Sequence, residues 1–396
     1  MPSRVLAVLA LAMVAARAHG SGFERVEASP EAVATAGAQT ADADAAAAVY
    51  YDPAALVFQP GLTVQGGANL VLYRGTATPA SGGDVADATV YATPTVFAGA
   101  RISERYAIGV GVFEPYAWSS AYPAGWAGRF AGLSFDLRAL AVNPSVALRP
   151  LPWLAIGFGV DIVPTTLGYR RATAEAGGAE GELAVALSGT GVGGNASILV
   201  RVLPRWLDAA VAYRSAIDLD LSSGAARTTL PLPHALSFAI ASHPLAGLTL
   251  TTDVRLTLWQ SLRAVTFSFR DGSTPNETLT LDYGDAVGVR AGASYRFWRD
   301  GRGEPRLTVR LGGGWDQGPT SRAATSPLLA DGDRILAGGG VSARFRFISV
   351  DAGYLAAIAT DLVGASGTFV ARYRAVTHTV SVALTLRLPL RRGPTL

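Results

Sequence analysis

Few residues in this chain have types and spacings that suit covalent or metal chemistry. The four histidines, His19, His234, His243 and His378, form no HExxH, and the chain contains no cysteine to join them. A zinc site needs three or four such ligands drawn together, so each of the last three reads as a solvated histidine at a strand end. A hydrolase needs a serine within hydrogen-bond reach of a histidine; His378 with a rim serine is the one candidate, and no spacing supports it. Gly189, Gly191 and Gly194 satisfy GxGxxG, but that pattern cradles a dinucleotide only where it opens a helix, and Asn195 to Leu203 reads as strand. GxxxxGK(S/T) does not occur, so no ATP drive is encoded in these residues. Asp42, Asp44 and Asp52 stand close together on apolar flanks without EF-hand spacing,; contacts to arginines are the expected use, with calcium the alternative. The reading is a protein with no enzyme activity, no metal and no cofactor.

The elements that would hold these residues are strands. Arg4, the apolar run Val5 to Ala16 and the small-residue triplet to Ala18 have the layout of a signal peptide,, which assigns residues 1–20 to export. Beyond it, no apolar stretch is long enough to cross a hydrocarbon core of roughly 30 Å as a helix. Yet 49% of residues are hydrophobic and only 16% charged, with a mean hydropathy of +0.29. A surface that oily faces lipid. Since a bilayer offers the backbone no hydrogen bonds, a spanning chain without helices must close into a barrel. The net charge of +3 is spread along the chain, which gives no nucleic-acid footprint.

Alternation with period two supports this, because only one face of each strand meets lipid. From Thr379 to Leu388, Val380, Val382, Leu384, Leu386 and Leu388 alternate with Thr379, Ser381, Thr385 and Arg387. From Leu248 to Trp259, leucines and Val254 alternate with Thr249, Thr251, Asp253, Arg255 and Thr257, so Asp253 and Arg255 would face the lumen, where they could pair. Arginine on the lipid face near the midplane costs roughly 2 to 4 kcal/mol, which sends Arg255, Arg290 and Arg344 to the lumen or rim. About fourteen strands follow, beginning near Leu62, Thr89, Tyr106, Leu133, Leu154, Glu182, Trp206, His234, Leu248, Ala286, Pro305, Arg334, Ser349 and His378. Tight turns such as Arg149 to Trp153 alternate with longer connections: Pro115 to Gly132, Val163 to Gly181, Asp271 to Tyr283 and Gln317 to Asp333. The fold class is all-β, a transmembrane antiparallel barrel at residues 61–390 with a tail at 391–396. Residues 21–60 are alanine-rich without strand alternation and read as a plug inside the lumen.

Four blocks in order resemble the FadL/TodX family of outer-membrane transport proteins. They are Ser21 to Phe23 with Gly37 to Leu56; Gly111 to Arg129 with Asn143 to Ser145; Leu232 to Trp259; and Asp316 to Arg334 with Asp351 to Tyr354. The resemblance implies a fourteen-stranded bacterial outer-membrane barrel closed by an N-terminal hatch. It implies passive uptake of long-chain fatty acids or other hydrophobic compounds, and a monomer in contact with outer-membrane lipid. A lipid-hydrolysing barrel and a general porin are the alternatives. Where the family usually carries Asn-Pro-Ala, this chain has Asp52, Pro53 and Ala54, which the resemblance makes hatch and gating residues. The change keeps an acceptor and loses the amide donor.

The family opens its wall sideways at a kink in the third strand. Here Glu114 and Pro115 mark the place, since proline donates no ladder hydrogen bond. Tyr116, Trp118, Tyr122, Trp126 and Phe130 surround the following outer loop, where loop packing and ligand capture are both open readings. Trp153, Trp206 and Trp298 stand beside short turns and suit an interfacial girdle. The loops after Val163 and Leu221 lack the long apolar helices of the best-studied relatives, and the last strand ends at Leu388 without a terminal aromatic.

Overall fold

The structure is a computed structural model that describes residues 22–42, 46–299 and 305–389. The expected signal peptide (1–20), the tail (391–396), Asp44 and His19 lie outside the described residues. Alternation becomes a closed antiparallel sheet of nineteen strands. β1 (Leu62–Pro79), β2 (Val85–Arg101), β3 (Tyr106–Ala121), β4 (Ser134–Leu151), β5 (Leu154–Ala174) and β6 (Glu180–Leu203) are each a complete stave. Five further staves are interrupted: β7 (Leu207–Arg214) with β8 (Ile217–Ser222), β9 (Ala226–Leu232) with β10 (His234–Leu245), β11 (Leu248–Leu258) with β12 (Ala264–Phe269), β13 (Glu277–Thr280) with β14 (Ala286–Arg299), and β17 (Ile348–Ala359) with β18 (Leu362–Ser366). β15 (Pro305–Asp316), β16 (Arg334–Phe345) and β19 (Phe369–Leu388) bring the barrel to fourteen staves, and β19 closes on β1 from Leu62↔Leu388 to Pro79↔Ala371.

The alternating faces fall as the sequence expects. Val380, Val382 and Leu384 are exposed on the lipid side, while Thr379, Ser381 and Thr385 are buried inside. Trp153, Trp206 and Trp298 are exposed at the end that carries the tight turns. The first residue of β1 and the last of β19 share that end, which in a bacterial barrel is the periplasmic one,. Strand starts moved where the outer rim lacks alternation: the second stave begins at Val85, the eighth at Ala226, the tenth at Glu277 and the last at Phe369. Val163 to Gly181 is not a long loop. β5 and β6 stay paired out to Ala174↔Glu180, because β-branched and small residues continue there. His378 is also misplaced by a strand-end reading: it sits within β19 opposite Leu72 and Ala356, bonded to the Tyr354 hydroxyl at 2.8 Å.

The segment before β1 packs against inward-facing wall residues. It contains α1 (Pro30–Ala34), α2 (Ala48–Tyr51) and a 3-10 turn, Pro53–Phe58. Ser29 caps α1 by accepting from the Ala32 amide, and Pro30 occupies its first turn,. Where the segment presses on the wall, the wall is glycine. A methyl group on Gly157 would meet the Ala54 nitrogen at 2.2 Å, and one on Gly312 would meet the Thr35 backbone at 2.3 Å. No larger residue fits at either point.

Candidate functional site

The lumen has two zones. Around the N-terminal segment its walls are largely polar, with Gln65, Asn69, Asn143, Asp161, Ser197 and Thr251 all buried, but beside the second and third strands Phe97, Phe113 and Tyr116 join the segment's own apolar residues. Towards the outer mouth the inward positions turn apolar, with Leu137, Leu167, Leu187, Leu219, Leu232 and Phe267 buried in one cluster. The outward positions of these outer stretches, among them Asp218, Asp220, Thr229 and Thr266, are polar and exposed, so only the lumen face is apolar there. The connection 317–333 closes the mouth. It buries Leu328 and Leu329, and Trp118 Nε1, the Tyr122 hydroxyl and the Tyr283 hydroxyl donate to the carbonyls of Leu328, Pro327 and Leu329 at 2.7, 3.3 and 3.2 Å.

Polar contacts hold the N-terminal segment. Arg255 Nε and the Thr257 hydroxyl donate to Glu24 Oε2 at 3.1 and 3.0 Å. Burial pushes the Glu24 carboxyl up, but Arg255 and Thr257 outweigh it and leave it below its ordinary value. Asp253 accepts from the Thr40 amide at 3.0 Å. Asp253 and Arg255 therefore each serve the segment instead of one another. Asp42 lies 3.9 Å from Arg296, the arginine contact expected of it. Asp52 has a different surrounding. It is fully buried, its Oδ1 accepts from the Ala54 amide at 3.0 Å, and Ser197 on β6 shares that amide. Its Oδ2 is buried without a bond, and desolvation, partly offset by Ser197 and the Ala54 and Ala55 amides, pushes its carboxyl up to about 7,. Among the described residues no arginine forms an ion pair with it. A protonated Asp52 carries a hydroxyl donor much as an asparagine carries its amide.

The wall itself is incomplete beside this segment. β2 and β3 are hydrogen-bonded only from Val96↔Val112 to Arg101↔Ala107. Above that rung β2 keeps β1 and β3 keeps β4, but the two do not pair with each other. Carried upward, the register would set Pro94 opposite Glu114 and Thr93 opposite Pro115, so two prolines stand where the ladder stops. β3 is also bulged between Phe113 and Tyr116 relative to β4,. The gap is closed again at the rim, where Asp87 accepts from the Ser120 hydroxyl at 2.6 Å and the Ala121 amide at 3.0 Å. Thr89 donates to the Ser119 carbonyl at 3.1 Å. Between these ends lie about six residues of β2, roughly 20 Å of strand.

The N-terminal segment lines the gap from within. The Arg25 amide donates to the Pro115 carbonyl at 2.8 Å, the Ala117 amide to the Phe23 carbonyl at 3.0 Å, and Glu24 bridges Tyr116. From the other face Arg138 of β4 spans it. Its guanidinium binds Glu114 at 3.0 and 3.1 Å and donates to the Ala92 carbonyl at 2.8 Å. Tyr91 stands between, with Arg138 5.1 Å and Arg25 5.7 Å from its ring centre. Sequence reading marked Glu114 and Pro115 through the family's third-strand kink and the proline. Arg138 was missed, although an arginine in phase with the lipid-facing residues of β4 is the signal that finds it.

The five aromatics grouped around the outer loop are not one cluster. Tyr116 is buried in the lumen beside Phe23 and Trp259, with ring centres 6.2 Å from each. Trp118 reaches the mouth connection. Tyr122 and Trp126 stack at 4.1 Å in a separate cluster with Phe369 and Tyr373. Phe130 is exposed under Arg129.

Comparison with known proteins agrees with this architecture. The family model described as outer membrane protein transport protein (OMPP1/FadL/TodX) matches residues 11–222 and 205–387. Outer membrane protein P1 of Haemophilus influenzae is 25% identical over 311 residues, which cover 66% of this chain and 64% of that protein; the match thus spans just under two thirds of the curated relative. Among solved structures, a Pseudomonas aeruginosa FadL homologue superposes with a TM-score of 0.82 at 18% identity, over 92% of this chain and 99% of its own. The Ralstonia pickettii toluene transporter TbuX gives 0.70 at 19% identity over 94% and 99%. The P. putida toluene transporter TodX gives 0.73 at 15% over 94% and 100%. At such identities the superpositions establish the fold.

Proposed function

The chain belongs to the outer membrane protein transport family (OMPP1/FadL/TodX), and from that premise we propose that it is a passive channel carrying hydrophobic compounds, long-chain fatty acids among them, across the bacterial outer membrane. The single observation that carries this reading is the unpaired stretch between β2 and β3, which adjoins an apolar lumen. A hydrophobic molecule gains nothing from a watery pore to the periplasm, but it gains from a side door into lipid. The cargo is taken up at the mouth beneath the 317–333 connection and held against leucines and Phe267. Residues 22–59 act as a hatch. Displacement of Phe23 to Arg25 from Pro115 and Ala117 clears the inner face of the gap, and Asp52, Pro53 and Ala54 anchor the hatch to β5 and β6. Arg138 and Glu114 form a polar latch across the outer face.

The surroundings of His378 support a channel rather than a hydrolase: it is held by Tyr354 on the lipid side, and among the described residues no serine hydrogen-bonds to it. An apolar mouth plugged by leucines speaks against a general porin, whose lumen is polar. The channel acts as a monomer in contact with outer-membrane lipid. The test is uptake of a labelled hydrocarbon and a labelled fatty acid by de-energised cells that express the protein, against cells that lack it. Faster entry of either supports the reading. Equal rates for both compounds at normal expression would overturn it.

A further inference from the structure

Several lumen arginines around the hatch and mouth are matched by carboxylates, while Arg310 donates to the Ser342 hydroxyl and Arg201 lies over the Phe58 ring. Arg171 meets Glu277 at 2.6 Å, Arg290 meets Asp316 at 2.7 Å, Arg334 meets Asp316 at 3.5 Å, and Arg214 and Arg255 hold Asp161 and Glu24. Arg25 is different. Its Nη1 donates to the Tyr91 hydroxyl at 2.8 Å, and among the described residues no carboxylate stands within ion-pair distance of it. A guanidinium has five N–H donors, so this one, half-buried, keeps most of them for something else. Its position is fixed by backbone bonds: the Arg25 amide donates to Pro115 at 2.8 Å, and its carbonyl accepts from the Tyr50 hydroxyl at 3.0 Å.

Arg25 also lines a small cavity of about 40 Å³ at the gap, together with Phe23, Tyr73, Tyr91 and Trp118. Glu24 and Arg334 are on the same wall, but both are already engaged, by Arg255 and by Asp316 with Asp331. Glu114, on the far side of Tyr91, is bound by both ends to Arg138. On this measure one water needs roughly 10–15 Å³, so the space is large enough for a carboxylate. The surrounding rings suit the first methylenes of an alkyl chain.

From this geometry we infer that Arg25 is a headgroup site at the side opening, which binds the carboxylate of a long-chain acid cargo while Tyr73, Tyr91 and Trp118 pack on its chain. The inference rests on the uptake reading above and adds a residue that separates acids from neutral hydrocarbons. As the acid arrives, it takes the free N–H groups of Arg25 in a two-point contact.

The test is displacement of the uncharged probe diphenylhexatriene from purified protein by palmitoleate, by its methyl ester and by a short-chain phosphatidylglycerol. With Arg25→Gln, the acid should weaken roughly ten- to hundredfold, as expected for loss of a charge-assisted contact. The ester should be unchanged, and Arg25→Lys should recover part of the loss. Tyr91→Phe, which frees one more donor without removing charge, should keep acid binding even if the glutamine variant folds poorly. An equal loss for acid and ester makes Arg25 structural and overturns the inference, as does an unchanged acid affinity. Arg25-dependent displacement by phosphatidylglycerol alone assigns the site to membrane lipid and also overturns it. If neither acid nor ester displaces the probe from the unaltered protein, the uptake reading itself fails.

Discussion

Asp52→Asn should change how tightly the hatch is held, and in a pH-dependent way. In the docked hatch the Asp52 carboxyl is pushed up to about 7 by burial; once undocked and hydrated it returns to the ordinary aspartate value of 3.8. A raised carboxyl favours the docked state while protonated. That advantage is complete below pH 3.8, declines as pH rises, and is gone once pH passes about 7,. The span is about three pH units, or ~4 kcal/mol at 1.36 kcal/mol per unit. Glu31, which burial and Asp351 also raise, adds a change of the same sign; Glu24, held low by Arg255, opposes it. Both remain in the variant, so the difference between the two proteins isolates Asp52. Planar-bilayer recordings from pH 4 to pH 8 should show hatch-dependent conductance of the native protein rising as pH increases, with a distinctly shallower rise in Asp52→Asn. Parallel curves for the two proteins would refute the reasoning, and a steeper variant would reverse its sign.

Deleting 22–59 should leave a heat-modifiable, folded barrel whose ion conductance rises, because the strand ladder closes without that segment; unchanged conductance in an intact barrel would mean the segment does not plug the lumen. Gly157→Val should loosen the hatch, since the added side chain meets the Ala54 nitrogen and Pro53, and protease should then reach the segment faster. Pro53→Gly should reduce uptake of a fluorescent fatty acid at normal expression, and normal transport would remove Pro53 from gating.

Much of the barrel was legible because lipid enforces it. A strand such as Thr379 to Leu388 can only alternate as it does if one side is hydrocarbon, and the same logic put Arg255 and Arg290 inside. Boundaries failed where that constraint fades. At the outer rim water replaces lipid, so Val85, Ala226 and Phe369 begin strands without a pattern to announce them, and Leu137, Leu187 and Leu219 are apolar because the mouth is apolar. The side opening was half legible. Pro115 announced a broken ladder, but Pro94 on the neighbouring strand, Arg138 across the gap and Arg25 beneath it meet only through register, which a single strand does not reveal. The aromatics from Tyr116 to Phe130 were read as one neighbourhood because they are close in sequence; the bulge before Tyr116 and the turn before Trp126 send them to four places. Asp42 found an arginine as expected, whereas Asp52 lies under β5 and β6, where only serine and backbone donors are within reach.

If cargo leaves through the wall between β2 and β3, as proposed, a bridge across that opening must stop it, and thiol bridging is clean because the chain has no native cysteine. Val112 is already on the last closed rung opposite Val96, so the bridge belongs above it, between Ala92→Cys and Ala117→Cys, joined by a short bismaleimide. Ala98→Cys with Val110→Cys, on an existing rung, controls for the chemistry. Uptake of a fluorescent hydrophobic compound should stop when the upper pair is bridged and continue when the lower pair is. Full-rate uptake through a barrel bridged at Ala92 and Ala117 would rule out the side exit and send the cargo out by the periplasmic end.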